Sequence, residues 1–389
     1  MRLNHDLHLA YCTNIHRGEN WAETFAGLEA HTLRVKAAVC PEAPYAIGLR
    51  LSAVAADELS EPETLRAFQD WLDEHQCYVF TVNGFPYGRF HGGKVKEQVY
   101  RPDWTTRERV EYTKKLFDLL AQLVPDGVTA SVSTSPASFK DFGITETDRQ
   151  LMRKHYRELG LYISEVSERT GKDLHLGIEP EPLCTLETSE ETVAFLLETF
   201  ADFPEDEGIL RRTLGINYDC CHLAVEFEEA SEALGRIEEA GIRMSKIHLS
   251  SALRLKPTAA LLDQLRAFQE DIYLHQTIVR QGDGTLRRFA DLGPALDWAA
   301  TASDLGEEWR VHFHIPLHHD PSEGLLSTAD QLVATLDWLG EKPSRCTHLE
   351  METYTWEVLP TDLHQGDVVD QLVKEYGWCL DQLKQRGLA

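Results

Sequence analysis

Short apolar runs recur along the chain, and longer segments with helical periodicity separate them. The runs are LHLAYCTN from Leu7, YAIGLRLS from Tyr45, YVFTVNGF from Tyr78, GVTASVST from Gly127, LHLGIEPEP from Leu174, LGINYDCC from Leu214, SKIHLSS from Ser245, WRVHFHIP from Trp309 and THLEMETY from Thr347. Each is short and rich in β-branched, aliphatic or aromatic residues, which predicts a strand. Segments 107–123 and 148–169 are the longest helical stretches between them. Segment 188–200 opens on TSEET, with acids in the first turn where the helix dipole favours them. Strand–helix alternation of this kind predicts a parallel α/β sheet.

The strands share a phase. In LHLGIEPEP one face carries Leu174, Leu176 and Ile178, and the other His175, Gly177 and Glu179. GINYDC sets Ile216 and Tyr218 against Gly215, Asn217 and Asp219, and HLEMET sets Leu349 and Met351 against His348, Glu350 and Glu352. VHFHI sets Val311, Phe313 and Ile315 against His312 and His314. An open doubly wound sheet, covered on both faces, reads as unbroken apolar runs. One greasy face and one small or polar face instead predict a (β/α)8 TIM barrel, with the apolar face under the helices and the polar face in the lumen. Nine strand candidates are one too many for such a ring, so one lies outside it. Segment 273–289 also reads as a hairpin around Gly-Asp-Gly. Together with the helix after it, this predicts an insertion at 271–305, late in a single barrel domain spanning 1–389.

Composition narrows the function. The net charge is −26, from 38 basic and 64 acidic residues, which argues against nucleic acid and anionic membranes as partners. The eight cysteines have no CxxC spacing, which suits reduced thiols and a cytoplasmic protein. No run approaches 18 apolar residues and the N-terminal MRLNHDLHLAYC lacks the apolar stretch of a signal peptide. The sequence does not fix the oligomeric state, a homodimer being one expectation.

Barrel active sites form at the C-terminal ends of the strands. The residues there are Asn14, Asn83, Ser133, Glu179, Glu181, Asp219, His222, His248, His314 and Glu352. Glu179, Asp219, His248 and Glu352 would repel one another around an empty point, and with Mn²⁺, Mg²⁺, Co²⁺ or Zn²⁺ they make a mixed oxygen and nitrogen site. His222, three residues after Asp219, turns back over that site. His312, His314 and Glu181 are candidates for a second metal or for substrate, and His312 and His314 also read as packed lumen side chains. His318-His319-Asp320 follows in a loop and is expected to face water. The loop 83–104, NGFPYGRFHGGKVKEQVYRPDW, suits a cover over the barrel mouth. Within it and beside it, Asn14, Asn83, His91 and Lys94 are candidate substrate contacts. No P-loop, GxGxxG or GxSxG pattern occurs.

The strand ends resemble the xylose-isomerase-like TIM barrels, a superfamily of sugar isomerases and epimerases that includes AP-endonuclease family 2. The matching motifs are GIEPEP with Glu179, NYDCCH with Asp219 and His222, KIHLSS with His248, and EMETYTW with Glu352, and they cover mostly residues 170 to 360. More narrowly, YCTNIHRGENW, GLRLSA, the NGFPYG…FHG…VK…VYRPDW loop, VHFHIP and HLEMETYTWEVLP look like the EboE family. Those are sugar-isomerase-like barrel proteins of a bacterial cluster linked to metabolite export or maturation. The resemblance implies a metal-dependent isomerase or epimerase. It would act on a small sugar, sugar phosphate or cyclitol through an enediolate, in a secondary-metabolite pathway, with Glu179 and Glu352 as base and acid. One spacing departs from the pattern: about a hundred residues and a further strand candidate separate His248 from Glu352. His314 is therefore an alternative to Glu352 for closing the metal site. A divalent-metal phosphodiester hydrolase using His222, His312 and His314 is the rival enzyme reading. A non-catalytic maturation or traffic protein is the third.

Overall fold

The computed structural model describes residues 1–389 except His319 and Gln365, together with the backbone alone at Asp362. Seven parallel strands come first: β1 (His8–Tyr11), β2 (Tyr45–Arg50), β3 (Cys77–Asn83), β4 (Ala130–Thr134), β5 (Leu174–Ile178), β6 (Leu214–Asp219) and β7 (Arg243–Leu249). Five short strands follow: β8 (Leu253–Leu255), β9 (Thr277–Arg280), β10 (Leu286–Phe289), β11 (Glu308–Val311) and β12 (Leu326–Ser327). The last strand, β13 (His348–Met351), slots between β7 and β1. The eight-stranded parallel sheet thus runs β1-β13-β7-β6-β5-β4-β3-β2, and a parallel bridge between Cys12 and Gly48 brings its edges together. This is the TIM barrel expected from the shared phase of the strands.

The apolar faces of the strands pack under the helices. Leu174, Leu176, Ile178, Ile216, Leu349 and Met351 all belong to the main core. The lumen faces stack in layers, as in other barrels of this kind. At the bottom, His8 meets Tyr78 (2.7 Å), His175 meets Ser245 (2.5 Å) and His348 meets Ser131 (2.8 Å). In the middle lie Ser133, Lys246 and Glu350. A Cβ at Gly48 would collide with the Glu350 carboxylate and the Tyr11 carbonyl, so the barrel wall is thinned there to admit that acid. The top layer holds Asn14, Asn83, Glu179, Asp219, His248 and Glu352.

WRVHFHIP is the ninth strand candidate that the ring excludes. Its start forms β11, which pairs antiparallel with β8 and β9 in a separate five-stranded sheet, β10-β9-β11-β8-β12. The hairpin and helix expected at 271–305 are β9, β10 and Leu292–Ala299, within that larger layer. Its own core includes Leu253, Leu265, Val279, Trp309, Val311 and Phe313. Since β13 completes the ring, Glu352 ends the eighth barrel strand, and His314 does not.

The C-terminal helix Val368–Gln385 braces this junction through Glu375. Its carboxylate accepts hydrogen bonds from the Leu317 amide (3.2 Å) and the Thr353 hydroxyl (3.0 Å). Burial pushes Glu375 up to about 8 from 4.5. The folded state then holds this proton more tightly than the unfolded chain. Stability from this group is greatest below the ordinary value and is lost as pH rises toward about 8. Glu375→Gln is expected to flatten that decline, read as melting temperature against pH. An unchanged slope would contradict it.

Candidate metal centre and active site

Each strand end delivers its ligand in a defined way. Glu179 follows β5 directly, and its amide donates to Thr134 O (3.0 Å), which holds it against β4. Asp219 ends β6 and caps the helix Cys220–Val225, accepting from the His222 amide (2.9 Å) and the Ser250 hydroxyl (2.7 Å) through Oδ1. That leaves Oδ2 toward the lumen. His248 sits on β7. Glu352 leaves β13 with its Oε1 accepting from the side-chain amides of Asn14 (2.8 Å) and Asn83 (3.0 Å), which turns Oε2 inward.

These four converge. The Nδ1 of His248 lies 3.0 Å from Glu179 Oε1, 3.3 Å from Asp219 Oδ2 and 3.1 Å from Glu352 Oε2. One ligand atom from each of the four lies within 4.8 Å of all the others. Burial works against a charge on His248, but Glu352 and Glu179 raise it well above the usual imidazole range. The centre is therefore built for positive charge. Glu179 Oε2 is buried and accepts no hydrogen bond, and Asp219 Oδ2 is buried with the His248 Nδ1 beside it at 3.3 Å. Buried carboxylate oxygens without donors are costly unless a cation faces them. Three carboxylates and one imidazole, with an orphaned oxygen among them, fit a divalent ion.

His248 is held from behind by residues not anticipated as part of the site. Its Nε2 donates to Glu350 Oε2 (2.9 Å), and the same oxygen accepts from Lys246 Nζ (2.6 Å). Lys246 also donates to Ser133 (3.0 Å), and neither Lys246 nor Glu350 has any exposed side-chain surface. With a cation bound in place of the ring's second proton, this carboxylate would hold the tautomer that presents Nδ1 to the ion. The signal was present: Lys246 and Glu350 lie two residues before His248 and Glu352, in the same lumen phase.

A cavity of about 50 Å³ opens above the centre. Glu179, Glu181, His222, His312 and Glu352 form its base, and Phe85, Phe90, Tyr100, Tyr273 and Tyr354 its walls. The loop 83–104 does cover the mouth, and the amides of Val95 and Lys96 tie it to Ile272 O (2.9 Å each). Lys96 lines the cavity, but its ammonium is consumed by Glu270 O (2.9 Å), Tyr273 O (2.6 Å) and Asp291 (2.7 Å). Lys94, the lysine expected to contact substrate, is exposed and does not line the cavity. The glycines before it carry the chain outward, and Lys96 turns in instead. His91 is buried behind the wall, between Asn14 O (2.6 Å) and the Tyr273 hydroxyl (2.6 Å). Asn14 and Asn83 line the cavity and each donates its side-chain nitrogen to Glu352, while the buried Asn14 Oδ1 accepts no hydrogen bond.

Glu181, His222, His312 and His314 gather on one side of the centre. Glu181 accepts from the Tyr100 hydroxyl (2.7 Å) and Gln276 (3.1 Å), and burial pushes it up to about 7. Burial and the neighbouring His222 and His314 hold His312 well below the usual imidazole range. His318 is half-buried and Asp320 exposed. His319 lies outside the described residues.

No family model matches the chain, and no curated protein matches it in sequence. The fold has solved counterparts. A xylose isomerase-like TIM barrel protein from Mycobacterium smegmatis in complex with magnesium is 13% identical over 98% of this chain and 97% of that one, with a TM-score of 0.53. An L-ribulose 3-epimerase is 9% identical over 100% and 96%, with a TM-score of 0.53. D-psicose 3-epimerase with D-tagatose, from Clostridium cellulolyticum H10, is 11% identical over 98% and 100%, with a TM-score of 0.51. The chain has the xylose-isomerase-like TIM-barrel fold. At these identities the likeness extends to the fold alone.

Proposed function

We propose that the protein is a metal-dependent isomerase or epimerase of a small polyhydroxylated substrate, a sugar or cyclitol. The observation that carries the reading is the facing pair Glu179 and Glu352, at 3.0 and 3.1 Å from one imidazole nitrogen at the floor of an aromatic-walled cavity. Mn²⁺, Mg²⁺, Co²⁺ or Zn²⁺, held by Glu179, Asp219, His248 and Glu352, would polarise a substrate carbonyl and acidify the adjacent C–H. Glu179 then takes the proton from that carbon. Glu352, fixed by Asn14 and Asn83, returns a proton to the opposite face for epimerisation, or to the former carbonyl carbon for isomerisation. The aromatic walls suit the apolar face of a sugar ring and exclude water. Because Lys96 is fully engaged, the cavity favours an unphosphorylated substrate over a sugar phosphate. The motif resemblance to the EboE family supports a place in secondary metabolism.

A phosphodiester hydrolase is the second reading, favoured by the imidazoles beside the carboxylates and opposed by the charge of −26. Plasmid nicking in Zn²⁺ and Mn²⁺ separates the two. The main test is exchange of the α proton in D₂O across ketoses and keto-cyclitols, with protein stripped by chelator and then reloaded. Exchange is expected only after reloading, with a rise in melting temperature. At a metal concentration 1,000 times Kd the stabilisation is about 4 kcal/mol. A stripped protein whose melting point ignores every divalent ion would support the non-catalytic alternative.

A further inference from the structure

On the reading of the cavity as a polyol site, we infer that Asn14 determines substrate specificity: its side-chain oxygen takes a hydrogen bond from a substrate hydroxyl close to the reacting carbon. Asn14 and Asn83 look alike from Glu352, since each donates its Nδ2 to Glu352 Oε1, at 2.8 and 3.0 Å. Their other ends differ. Asn83 Oδ1 accepts from the Phe85 amide (3.1 Å), so that side chain is complete. Asn14 Oδ1 is buried and accepts no hydrogen bond. The two ends of the Asn14 amide are not interchangeable, because flipping it would set oxygen against the Glu352 carboxylate.

The side-chain donors around the cavity are engaged elsewhere. His91 Nε2 faces the Asn14 carbonyl oxygen (2.6 Å), which only accepts, so Nε2 carries a hydrogen. Burial holds this imidazole below its usual range, which keeps the ring neutral and leaves Nδ1 bare. The Tyr273 hydroxyl therefore donates to Nδ1 (2.6 Å). Lys96 gives its hydrogens to Glu270 O, Tyr273 O and Asp291. The Tyr100 hydroxyl donates to Glu181 (2.7 Å), and the Tyr354 hydroxyl stands 3.4 Å from His312 Nε2.

Asn14 lines the cavity beside the acid, with its backbone oxygen held by His91 and its amide nitrogen by Glu352. The side-chain oxygen thus has a fixed place. Buried polar atoms are nearly always partnered, and an unmet one is costly where water is excluded. The substrate brings the missing donor: a hydroxyl qualifies, and a methylene or a carbonyl does not. Oδ1 is the end of the amide turned away from Glu352. The hydroxyl it reads therefore lies outside the carbonyl and hydroxyl that a cation at the centre would hold. A site built to hydrogen-bond a substrate hydroxyl rejects the analogue lacking it far more strongly than an apolar pocket does.

The test compares D-fructose with 4-deoxy- and 5-deoxy-D-fructose, each lacking one hydroxyl outside the chelated pair. Dissociation constants are measured by calorimetry on full-length protein reloaded with Mg²⁺, and α-proton exchange is followed in parallel. One deoxy analogue is expected to bind about 10–100-fold more weakly than D-fructose, the range that an unmet buried acceptor implies. Asn14→Leu is expected to abolish that gap. Asn83→Leu, which removes the other donor to Glu352, is expected to slow exchange and keep the gap, with both variants checked for folding by circular dichroism. Equal affinity for all three ketoses in the unmodified protein, as a resident water at Asn14 would give, overturns the assignment even where a variant misfolds. So does a gap that survives Asn14→Leu. Discrimination without proton exchange leaves Asn14 in this role and counts against the isomerase reading, and exchange without discrimination does the reverse.

Discussion

Glu179→Gln is expected to slow α-proton exchange by about 10³-fold or more, within the range of about 10²–10⁴ for a positioned general base. Glutamine keeps a carbonyl oxygen for a cation but has no basic oxygen to take a proton. Glu179 also stands 3.0 Å from His248 in a group of three buried carboxylates. Removing one negative charge relieves their repulsion, so the metal-free variant is expected to melt higher than the metal-free parent. The two readouts move oppositely, which separates a lost base from a damaged fold. Full turnover by a variant shown to hold metal would contradict the assignment. Glu352→Gln is expected to lose exchange similarly, while Asn14→Ala and Asn83→Ala lose less, because each removes one of two donors that orient the acid.

Much of the centre was legible because it depends on two local rules: strand side chains alternate with period two, and barrel sites form at C-terminal strand ends. Those rules suffice to bring Glu179, Asp219, His248 and Glu352 together without knowing any long-range contact. They fail where the information is not local. WRVHFHIP alternates as a barrel strand does, yet β11 pairs with β8 and β9, and nothing in its own residues distinguishes one sheet from another. His312 and His314 still reach the site, entering from the inserted layer's edge instead of from the lumen wall. The Asn14 and Asn83 amides have the chemistry to bind a hydroxyl, and only the fold reveals that Glu352 already takes a hydrogen bond from each nitrogen. Lys94 and Lys96 share an aperiodic loop, so which one turns inward depends on Ile272 and Asp291, far away in sequence. Lys246 and Glu350 were visible as lumen positions, but their pairing requires knowing that β7 and β13 are neighbours.

That pair yields the largest expected change in stability. Glu350→Leu leaves the Lys246 ammonium buried without its ion-pair partner, with the Ser133 hydroxyl at 3.0 Å as its remaining side-chain hydrogen bond among the described residues. Breaking a buried ion pair from one side costs about 3–5 kcal/mol. The fold evidently keeps both groups charged: burial opposes the charge on Glu350, yet Lys246 and His248 hold its carboxyl at about 2. Gly48→Ala is expected to act in the same direction, by pushing Glu350 off its seat. The double variant Lys246→Met with Glu350→Leu removes both charges, and apolar replacement of a whole buried pair is often neutral or stabilising. It is therefore expected to recover most of the lost stability in chemical denaturation. Metal affinity is expected to behave differently. His248 Nε2 loses its acceptor in the single and the double variant alike, and loss of such a partner typically weakens binding about 10–100-fold. A double variant that regains stability while staying weak for metal would show that Glu350 positions the imidazole as well as neutralising Lys246. Recovery of both together would reduce its role to charge balance.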